Sequence, residues 1–203
     1  MLRNSLVSYR HEILMDNMAG IPILQQHGGD DDNVPTYHSR RLKQLVIESG
    51  WNSRYVELAG KGHWFDGIMT TEPLRDFISN ISRVDRREPE LPEIFSMTVP
   101  NSGDMSSRGG IMVDQLTCPD QLGKIHVVRS RQSSKWTLRT SNIHRLHFLQ
   151  TPRSGKLPDL VEIDDYSLDV RSCVRQSIDC WLVRSSDGAW AVRLSVHSLG
   201  SES

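Results

Sequence analysis

The sequence predicts an α/β segment followed by a separate all-β domain, either a sandwich or a partly open barrel. Strand and helix signals alternate over residues 20–83. The next stretch, VDRREPELPE at residues 84–93, is charged and carries two prolines, which is typical of a linker. From residue 94 to residue 203, short strand signals follow one another without a helical period of any length. We therefore divide the chain into residues 1–83, a linker and residues 94–203.

The α/β segment is predicted from the order of its elements. Residues 21–26 form an apolar run that is typical of a buried strand. Pro35 stands where a helix can begin, and apolar residues at helical spacing lead from there to a C-terminal stop at Gly50. Residues 55–58 predict a second strand, and Thr71 precedes a second helix. The apolar face of that helix consists of Leu74, Phe77, Ile78 and Ile81. This alternation indicates a parallel sheet.

The all-β domain is predicted from eight short strand signals. They lie at residues 94–99, 110–113, 125–128, 136–139, 143–149, 161–163, 180–184 and 190–195. The sequence SSDG at residues 185–188 predicts a hairpin between the last two.

The composition limits the classes of protein to which the chain can belong. The 203 residues are 37% hydrophobic with a net charge of −1, so neither a polyanion nor a membrane surface is indicated as a partner. No apolar run is long enough for a membrane span, and the first residues lack the apolar stretch of a signal peptide. We expect no cofactor and no metal, and the oligomeric state is open.

Three cysteines, with no CxxC spacing, indicate neither a disulfide framework nor a zinc site. Cys173 and Cys180 can pair if they lie on neighbouring strands, but the general tendency of cysteine to be buried favours free thiols.

A basic span in the second half has two interpretations. Residues 121–158 contain no acidic residue. The cations in the span are Lys124, Arg129, Arg131, Lys135, Arg139, Arg145, Arg153 and Lys156. An anion or nucleic-acid surface is one interpretation. In the favoured interpretation, these cations are the solvent-facing residues of alternating strands. They then face the acidic residues between 162 and 169 elsewhere in the same sheet. We therefore expect no nucleic-acid partner.

An acid and a histidine follow the two strands of the α/β segment. Asp30, Asp31 and Asp32 come after the first strand, and His63 comes after the second. The carboxyl ends of parallel strands share one edge of the sheet, which is where ligands and catalytic groups collect. A carboxylate there can fix the tautomer of an imidazole, whose other nitrogen is then free to act as a general base.

Two motifs carry a resemblance to a known family. The sequence PILQQHGGDDDNVP at residues 22–35 and the sequence GKGHWF at residues 60–65 resemble the C-terminal end of the prolyl oligopeptidase family of serine peptidases. The resemblance covers about residues 15–83. It implies an incomplete α/β-hydrolase sheet in residues 1–83, with Asp31 as the orienting acid and His63 as the general base. It also implies a peptide or ester substrate that is cleaved by acyl transfer.

Each of these residues also has a structural interpretation. Asp31 can serve as an N-cap or Asx-turn residue, and His63 can be a surface loop histidine. We expect His27 to be structural and buried beside the turn. We expect Trp64 and Phe65 to pack the loop rather than to bind substrate.

The serine that such a triad needs is not recognisable. No G-x-S-x-G turn precedes Asp31, and neither Ser5 nor Ser8 has flanking glycines. Ser107 and Ser154 lie in the β-rich half, on the wrong side of His63. We therefore expect that the chain descends from a hydrolase and that, made alone, it has no hydrolase activity. The alternatives are a non-catalytic β-rich interaction module and, less favoured, assembly with a second polypeptide.

Overall fold

The computed structural model describes residues 11–83, 92–103, 107–129, 133–149, 156–176 and 180–194. They divide between Pro92 and Glu93 into two compact units. We call the described residues up to Pro92 the first unit and those from Glu93 onward the second unit. Most of the predicted linker, residues 84–91, lies outside the described residues.

The first unit contains a small parallel sheet and two α-helices. Its elements are a 3₁₀ helix (His11–Met18), β1 (Leu24–Gly28), α1 (Tyr37–Glu48), β2 (Arg54–Leu58), a short 3₁₀ helix (Ile68–Thr70) and α2 (Glu72–Arg83). β1 and β2 run parallel, with Leu24 opposite Arg54 and Gly28 opposite Leu58. The strand ends that carry the candidate acid and histidine therefore lie at the same edge of this sheet.

The predicted fold class, an incomplete α/β-hydrolase sheet, is wrong. The parallel sheet of the first unit has two strands, and the described chain as a whole is β-rich, with three sheets and few helices. Periodicity predicts individual strands and helices, but it does not report how many strands join a sheet. Extrapolating from two strands to a hydrolase sheet is where the prediction failed.

The second unit contains two larger sheets. Its elements are β3 (Ile94–Val99), β4 (Ile111–Leu116), β5 (Gly123–Arg129), β6 (Lys135–Ser141), β7 (Ile143–Phe148), β8 (Leu160–Ile163), β9 (Tyr166–Asp169), α3 (Arg171–Gln176), β10 (Cys180–Arg184) and β11 (Trp190–Leu194). One sheet has the order β3-β5-β6-β8-β9 and the other β11-β10-β7-β4. Neighbouring strands are antiparallel except β6 and β8, which are parallel.

The two sheets of the second unit bury their apolar residues in alternation. In β5, Ile125 and Val127 are fully buried while Lys124, His126 and Val128 are exposed, as expected for a strand with one face on the core. Trp136 of β6 meets Phe148 of β7 edge to face at 5.8 Å, which joins the two sheets through the core. This arrangement is compatible with a β-sandwich.

Turn residues account for the hairpins of the second unit. Asp164 and Asp165 link β8 to β9 with φ values of 45° and 73°, a left-handed conformation that Asp tolerates better than most residues. The hairpin predicted at residues 185–188 is confirmed, with Gly188 at φ 91°. Strand β9 was not predicted because its four residues, YSLD, contain no apolar run, and helix α3 was not predicted because six residues are too short to show a helical period.

The favoured prediction of free thiols is wrong for two of the cysteines. Cys173 and Cys180 form a disulfide with a Cα–Cα distance of 5.4 Å, joining α3 to the start of β10. Cys118 is free and exposed. Sequence alone suggested pairing only between neighbouring strands, whereas the bridge joins a helix to a strand.

Removing this disulfide is expected to destabilise the protein. The two cysteines are seven residues apart, and closing a loop of this size restricts the unfolded chain. The loop-entropy relation gives a loss of about 2.5 kcal/mol for a Cys173→Ser, Cys180→Ser double variant. Urea unfolding of both proteins measures the difference. Equal midpoints, with m-values unchanged, would contradict the prediction.

Several cations of the basic span pair with acids of the same sheet. Lys135 lies against Glu162 across β6 and β8, and Arg139 Nη1 lies 2.7 Å from Asp165 Oδ1. Arg131 and Arg153 lie outside the described residues. These pairs neutralise part of the positive surface, in the manner that the favoured interpretation of the span describes.

Candidate acid–base site

The turns after β1 and β2 are joined by backbone contacts. The amide of Gly29 donates to the carbonyl of Leu58 at 2.8 Å, and the amide of Asp30 donates to the carbonyl of Lys61 at 2.9 Å. A Cβ atom at Gly28 would lie 2.4 Å from the Lys61 carbonyl oxygen and 2.5 Å from that of Gly62. Only glycine therefore fits at Gly28 without moving one turn away from the other.

Asp31 and His63 meet across this contact. His63 Nδ1 lies 3.0 Å from Asp31 Oδ2, a hydrogen bond between residues 32 positions apart in the chain. Because an ionised carboxylate only accepts, Nδ1 carries the proton and donates it. The Asp31 side chain is 6% exposed and the His63 side chain 29% exposed, so the acid is enclosed while the imidazole is reachable.

Asp31 also holds its own turn. Its Oδ1 accepts the amides of Asn33 at 3.0 Å and Val34 at 2.8 Å, so the Asx-turn role and the orienting role occur together. The Val34 amide, His63 and the Asn33 amide lower the pKa of the Asp31 carboxyl to about 2 from its usual 3.8, against the opposing effect of partial burial. Asp30 and Asp32 are exposed.

His27 supports the turn from the side of β1. Its Nε2 lies 2.8 Å from the carbonyl oxygen of Val34 and 3.1 Å from Asp31 Oδ2. A carbonyl only accepts, so the Nε2 of His27 carries a proton; in the neutral ring, Nδ1 then accepts from the Ser39 hydroxyl at 2.7 Å. His27 is thus largely enclosed and has both ring nitrogens engaged, as expected for a structural histidine.

A second ion pair fixes α1 against β2 near the site. Arg40 donates to both carboxylate oxygens of Glu57, from Nε at 2.6 Å and from Nη2 at 2.8 Å, and the Tyr55 hydroxyl donates to Glu57 at 2.8 Å. These hydrogen bonds, first from Arg40 and then from Tyr55, lower the pKa of Glu57 to about 2. Nothing in the sequence points to this pair, because 17 residues separate its members and neither belongs to a motif.

The two low pKa values predict loss of stability in acid. Both carboxyls have a folded-state pKa below the unfolded value, so their stabilising contribution is complete above about pH 5 and is lost as pH falls towards about 2. In the wild type, the urea midpoint should fall as pH is lowered through that range. The fall should be smaller in Asp31→Asn and unchanged in Asp32→Asn, since Asp32 is exposed. An identical acid dependence in wild type and Asp31→Asn would contradict the role of Asp31.

His63 borders a cavity of about 220 Å³. Its lining residues are Gln26, His27, Gly28, Asp31, Val34, Leu58, His63, Phe65 and Ile68. The Nε2 of His63 has no hydrogen-bond partner among the described residues. An imidazole with one nitrogen oriented by a carboxylate and the other free can take up or release a proton at that free nitrogen.

The aromatic residues after His63 differ from expectation. The prediction that Trp64 packs the loop is wrong: its side chain is 84% exposed and meets the His63 ring edge to face at 5.0 Å. Phe65 lines the cavity, with Lys61 Nζ 5.4 Å from its ring centre.

In the part of the chain that the structure describes, no nucleophilic side chain is hydrogen-bonded to His63 Nε2. No serine hydroxyl among the described residues donates to its Nε2. Ser107 belongs to the second unit, and Ser5, Ser8 and Ser154 lie outside the described residues. No group of three or more metal-ligating side chains lies together in the described part of the chain.

The second unit contains another acid–histidine pair that sequence analysis missed. His147 Nδ1 lies 2.8 Å from Asp114 Oδ2, with His147 on β7 and Asp114 at the irregularity in β4. The ring of Trp181 lies 5.7 Å from that of His147, which is 7% exposed. Nothing in the sequence around these residues distinguishes them from ordinary strand positions.

Comparison with known proteins gives one informative relative. The chain is 42% identical over 183 residues to a protein of Arthroderma benhamiae whose name is "uncharacterized secreted protein". The match covers 90% of this chain and 20% of that protein, so the chain spans about a fifth of the length of the curated relative it matches. Neither a family profile nor a solved structure matches the chain.

The assignment to the prolyl oligopeptidase family is therefore wrong. No comparison finds a peptidase or any other hydrolase, and the relative carries no such name. The described strands form two-, four- and five-stranded sheets rather than one α/β-hydrolase sheet. The two short motifs at residues 22–35 and 60–65 determine only the local geometry of the turns that contain them, and they do not identify a family.

Proposed function

We propose that Asp31 and His63 are the acid–base half of a hydrolytic acyl-transfer site. The nucleophile would come from polypeptide outside these 203 residues, and the substrate would be a peptide or an ester. The observation that carries this proposal is the Nδ1–Oδ2 hydrogen bond of 3.0 Å, combined with a His63 Nε2 that has no partner among the described residues. The proposal rests on this geometry and on no family assignment.

Each residue has a defined role in such a site. Asp31 holds His63 in the tautomer with the proton on Nδ1, which leaves the lone pair of Nε2 free. Nε2 would take a proton from the attacking hydroxyl, and the imidazolium would be stabilised by the Asp31 carboxylate. The same nitrogen would return the proton to the leaving group.

The proposal is tested on the longer relative, where polypeptide beyond the matched segment is present. We expect a fluorophosphonate probe to label one serine of that secreted protein. If a histidine stands at the position that aligns with His63, replacing it by alanine should slow labelling by about 100-fold or more. Alanine at the position that aligns with exposed Asp32 should leave the rate of labelling unchanged. Absence of labelling in the intact relative would refute the acyl-transfer function.

The 203-residue chain alone is expected to be inactive. Without a nucleophile, a chromogenic ester should be hydrolysed no faster than by an equal concentration of free imidazole, and the fluorophosphonate should label no serine. Mass spectrometry of the treated protein checks the second statement. Stoichiometric labelling of any serine of this chain would show that the nucleophile had been missed.

The second unit supports a different candidate function, that of a non-catalytic binding module. Of the 24 buried apolar residues among the described positions, 21 belong to the second unit. The unit therefore has a core of its own and the Cys173–Cys180 bridge, as a domain that folds by itself would have. A stable second unit whose removal leaves the labelling of the relative unchanged would favour this candidate function.

We also infer that the chain is extracellular. Its relative is named as secreted, and disulfides persist mainly in oxidising compartments. No helix in the described part of the chain is long and apolar enough to cross a membrane. Mass spectrometry of the natively produced protein under alkylating, non-reducing conditions should find Cys173 and Cys180 linked.

A further inference from the structure

The first unit leaves the edges of its sheet unpaired. Among the described residues, β1 and β2 pair only with each other. Parallel sheets of this size are unusual, because parallel strands normally lie inside larger sheets with both faces covered. The unpaired amides and carbonyls at a sheet edge are ready to accept another strand.

The two edges differ in how well they are protected. β2 carries exposed Arg54 and Glu57, and charges of this kind discourage further pairing. β1 contains no charged residue, and Ile21, just before it, is 47% exposed. The open edge of this sheet is therefore that of β1.

The surface of the first unit is unusually apolar. Of the 13 exposed large apolar residues in the described chain, nine belong to this unit, which has only three buried apolar residues. The most exposed are Trp64 at 84%, Met69 at 72%, Tyr37 at 59%, Ile47 at 54% and Ile78 at 52%. Helix α2 has no buried residue, although its apolar positions have clear helical spacing. A unit with more apolar surface than apolar core is typical of one part of a larger body.

We infer that the edge of β1 and the apolar face of α2 are an interface for further polypeptide of the same longer protein. That polypeptide adds a strand beside β1 and a layer that covers Ile78 and Ile81. The length of the relative supports this occupant, since four-fifths of that protein lies outside the match. The inference does not depend on catalysis at His63.

Hydrogen exchange and oligomeric state test the interface. The 203-residue chain should be a monomer by light scattering, and the β1 amides that do not bond to β2 should exchange freely. In the intact relative, the aligned segment should exchange at least tenfold more slowly. Strand β5, which has a partner on both sides, should be equally protected in both proteins. A dimer that protects β1, or equal exchange of β1 in both proteins, would overturn the inference.

A modification site lies on the same helix and is indicated by a separate observation. Asn80-Ile81-Ser82 is the one Asn-x-Ser/Thr sequence among the 203 residues. Asn80 is exposed, near the end of α2, and its side chain has no hydrogen-bond partner among the described residues. On a helix, residue 80 projects about 100° away from the centre of the apolar face formed by residues 74, 77, 78 and 81.

We propose that Asn80 is N-glycosylated when the protein is secreted, which rests on the extracellular location inferred above. Asn80 Nδ2 forms a bond to C1 of an oligosaccharide carried on a lipid pyrophosphate. The C1–oxygen bond to that pyrophosphate breaks, and Nδ2 loses a proton. A glycan at this position projects from the flank of α2 and leaves its apolar face free.

Expression through a eukaryotic secretory pathway tests this site. The secreted chain should carry one glycan that peptide N-glycosidase removes, mapped to Asn80 by mass spectrometry. Ser82→Ala keeps the asparagine but destroys the recognition sequence, so the glycan should be lost. Ser79→Ala, on the same helix, should leave it in place. Secreted protein with unmodified Asn80 would overturn the proposal, whatever the outcome at His63.

Discussion

Gly28→Ala is expected to separate the two turns that carry Asp31 and His63. The added methyl would lie 2.4 Å and 2.5 Å from the backbone oxygens of Lys61 and Gly62, and backbone atoms cannot rotate out of the way as a side chain can. We expect a loss of about 3 kcal/mol or more in the free energy of unfolding, at the upper end of the usual overpacking range. The Asp31–His63 hydrogen bond should be lost with it.

Gly62→Ala is the matched control for this prediction. It lies in the opposite turn, and its Cβ would have only one neighbour, the Asp30 carbonyl oxygen at 3.9 Å. Its urea midpoint should stay close to that of the wild type. If Gly28→Ala unfolds at the same urea concentration as Gly62→Ala, the close approach of the two turns is not present in solution.

Asp164→Ala is expected to weaken the second unit by about 3 to 5 kcal/mol. The carboxylate of Asp164 accepts from the amide of Thr140 at 2.7 Å, from the Thr140 hydroxyl, and from Trp190 Nε1 at 3.0 Å. Trp190 belongs to the other sheet, so this side chain fastens the two sheets together. Removing it leaves three partly or fully buried donors without an acceptor, each costing about 1–3 kcal/mol.

Asp165→Ala is the control for this prediction, because it separates the loss of the Asp164 hydrogen bonds from the cost of placing alanine at a positive φ. Both residues have a positive φ, so the conformational cost of alanine is similar at the two positions. Asp165 is exposed and pairs with exposed Arg139, a type of contact that contributes little. The free energy of unfolding should therefore fall much further for Asp164→Ala. Equal losses for the two variants would show that the turn, not the carboxylate, stabilises the unit.

The sequence was sufficient to predict β1, α1, β2 and α2 and to predict that Asp31 and His63 lie at one edge of a sheet. Apolar runs and helical spacing placed β1, α1, β2 and α2, since these signals are local. The order of strands and turns then placed Asp31 and His63 at one edge. That prediction requires only the general geometry of parallel strands.

The errors came from features that depend on distant partners. Two strands with their helices did not determine the sheet that they belong to, so the fold class and the family were wrong. The Cys173–Cys180 bridge starts on α3, a helix that was too short to predict. Whether Trp64 is exposed and Asp31 is enclosed depends on which other residues pack around them. Those residues are distant in the sequence, so local patterns do not predict the exposure.

The tautomer of His63 tests the central claim most directly. Long-range ¹H–¹⁵N spectra of the imidazole side chains distinguish a proton on Nδ1 from one on Nε2. In the neutral ring, the hydrogen bond to Asp31 should place the proton of His63 on Nδ1, in wild type and in Asp32→Asn but not in Asp31→Ala. A proton on Nε2 in the wild type, or a spectrum that Asp31→Ala leaves unchanged, would show that the two side chains do not form the pair.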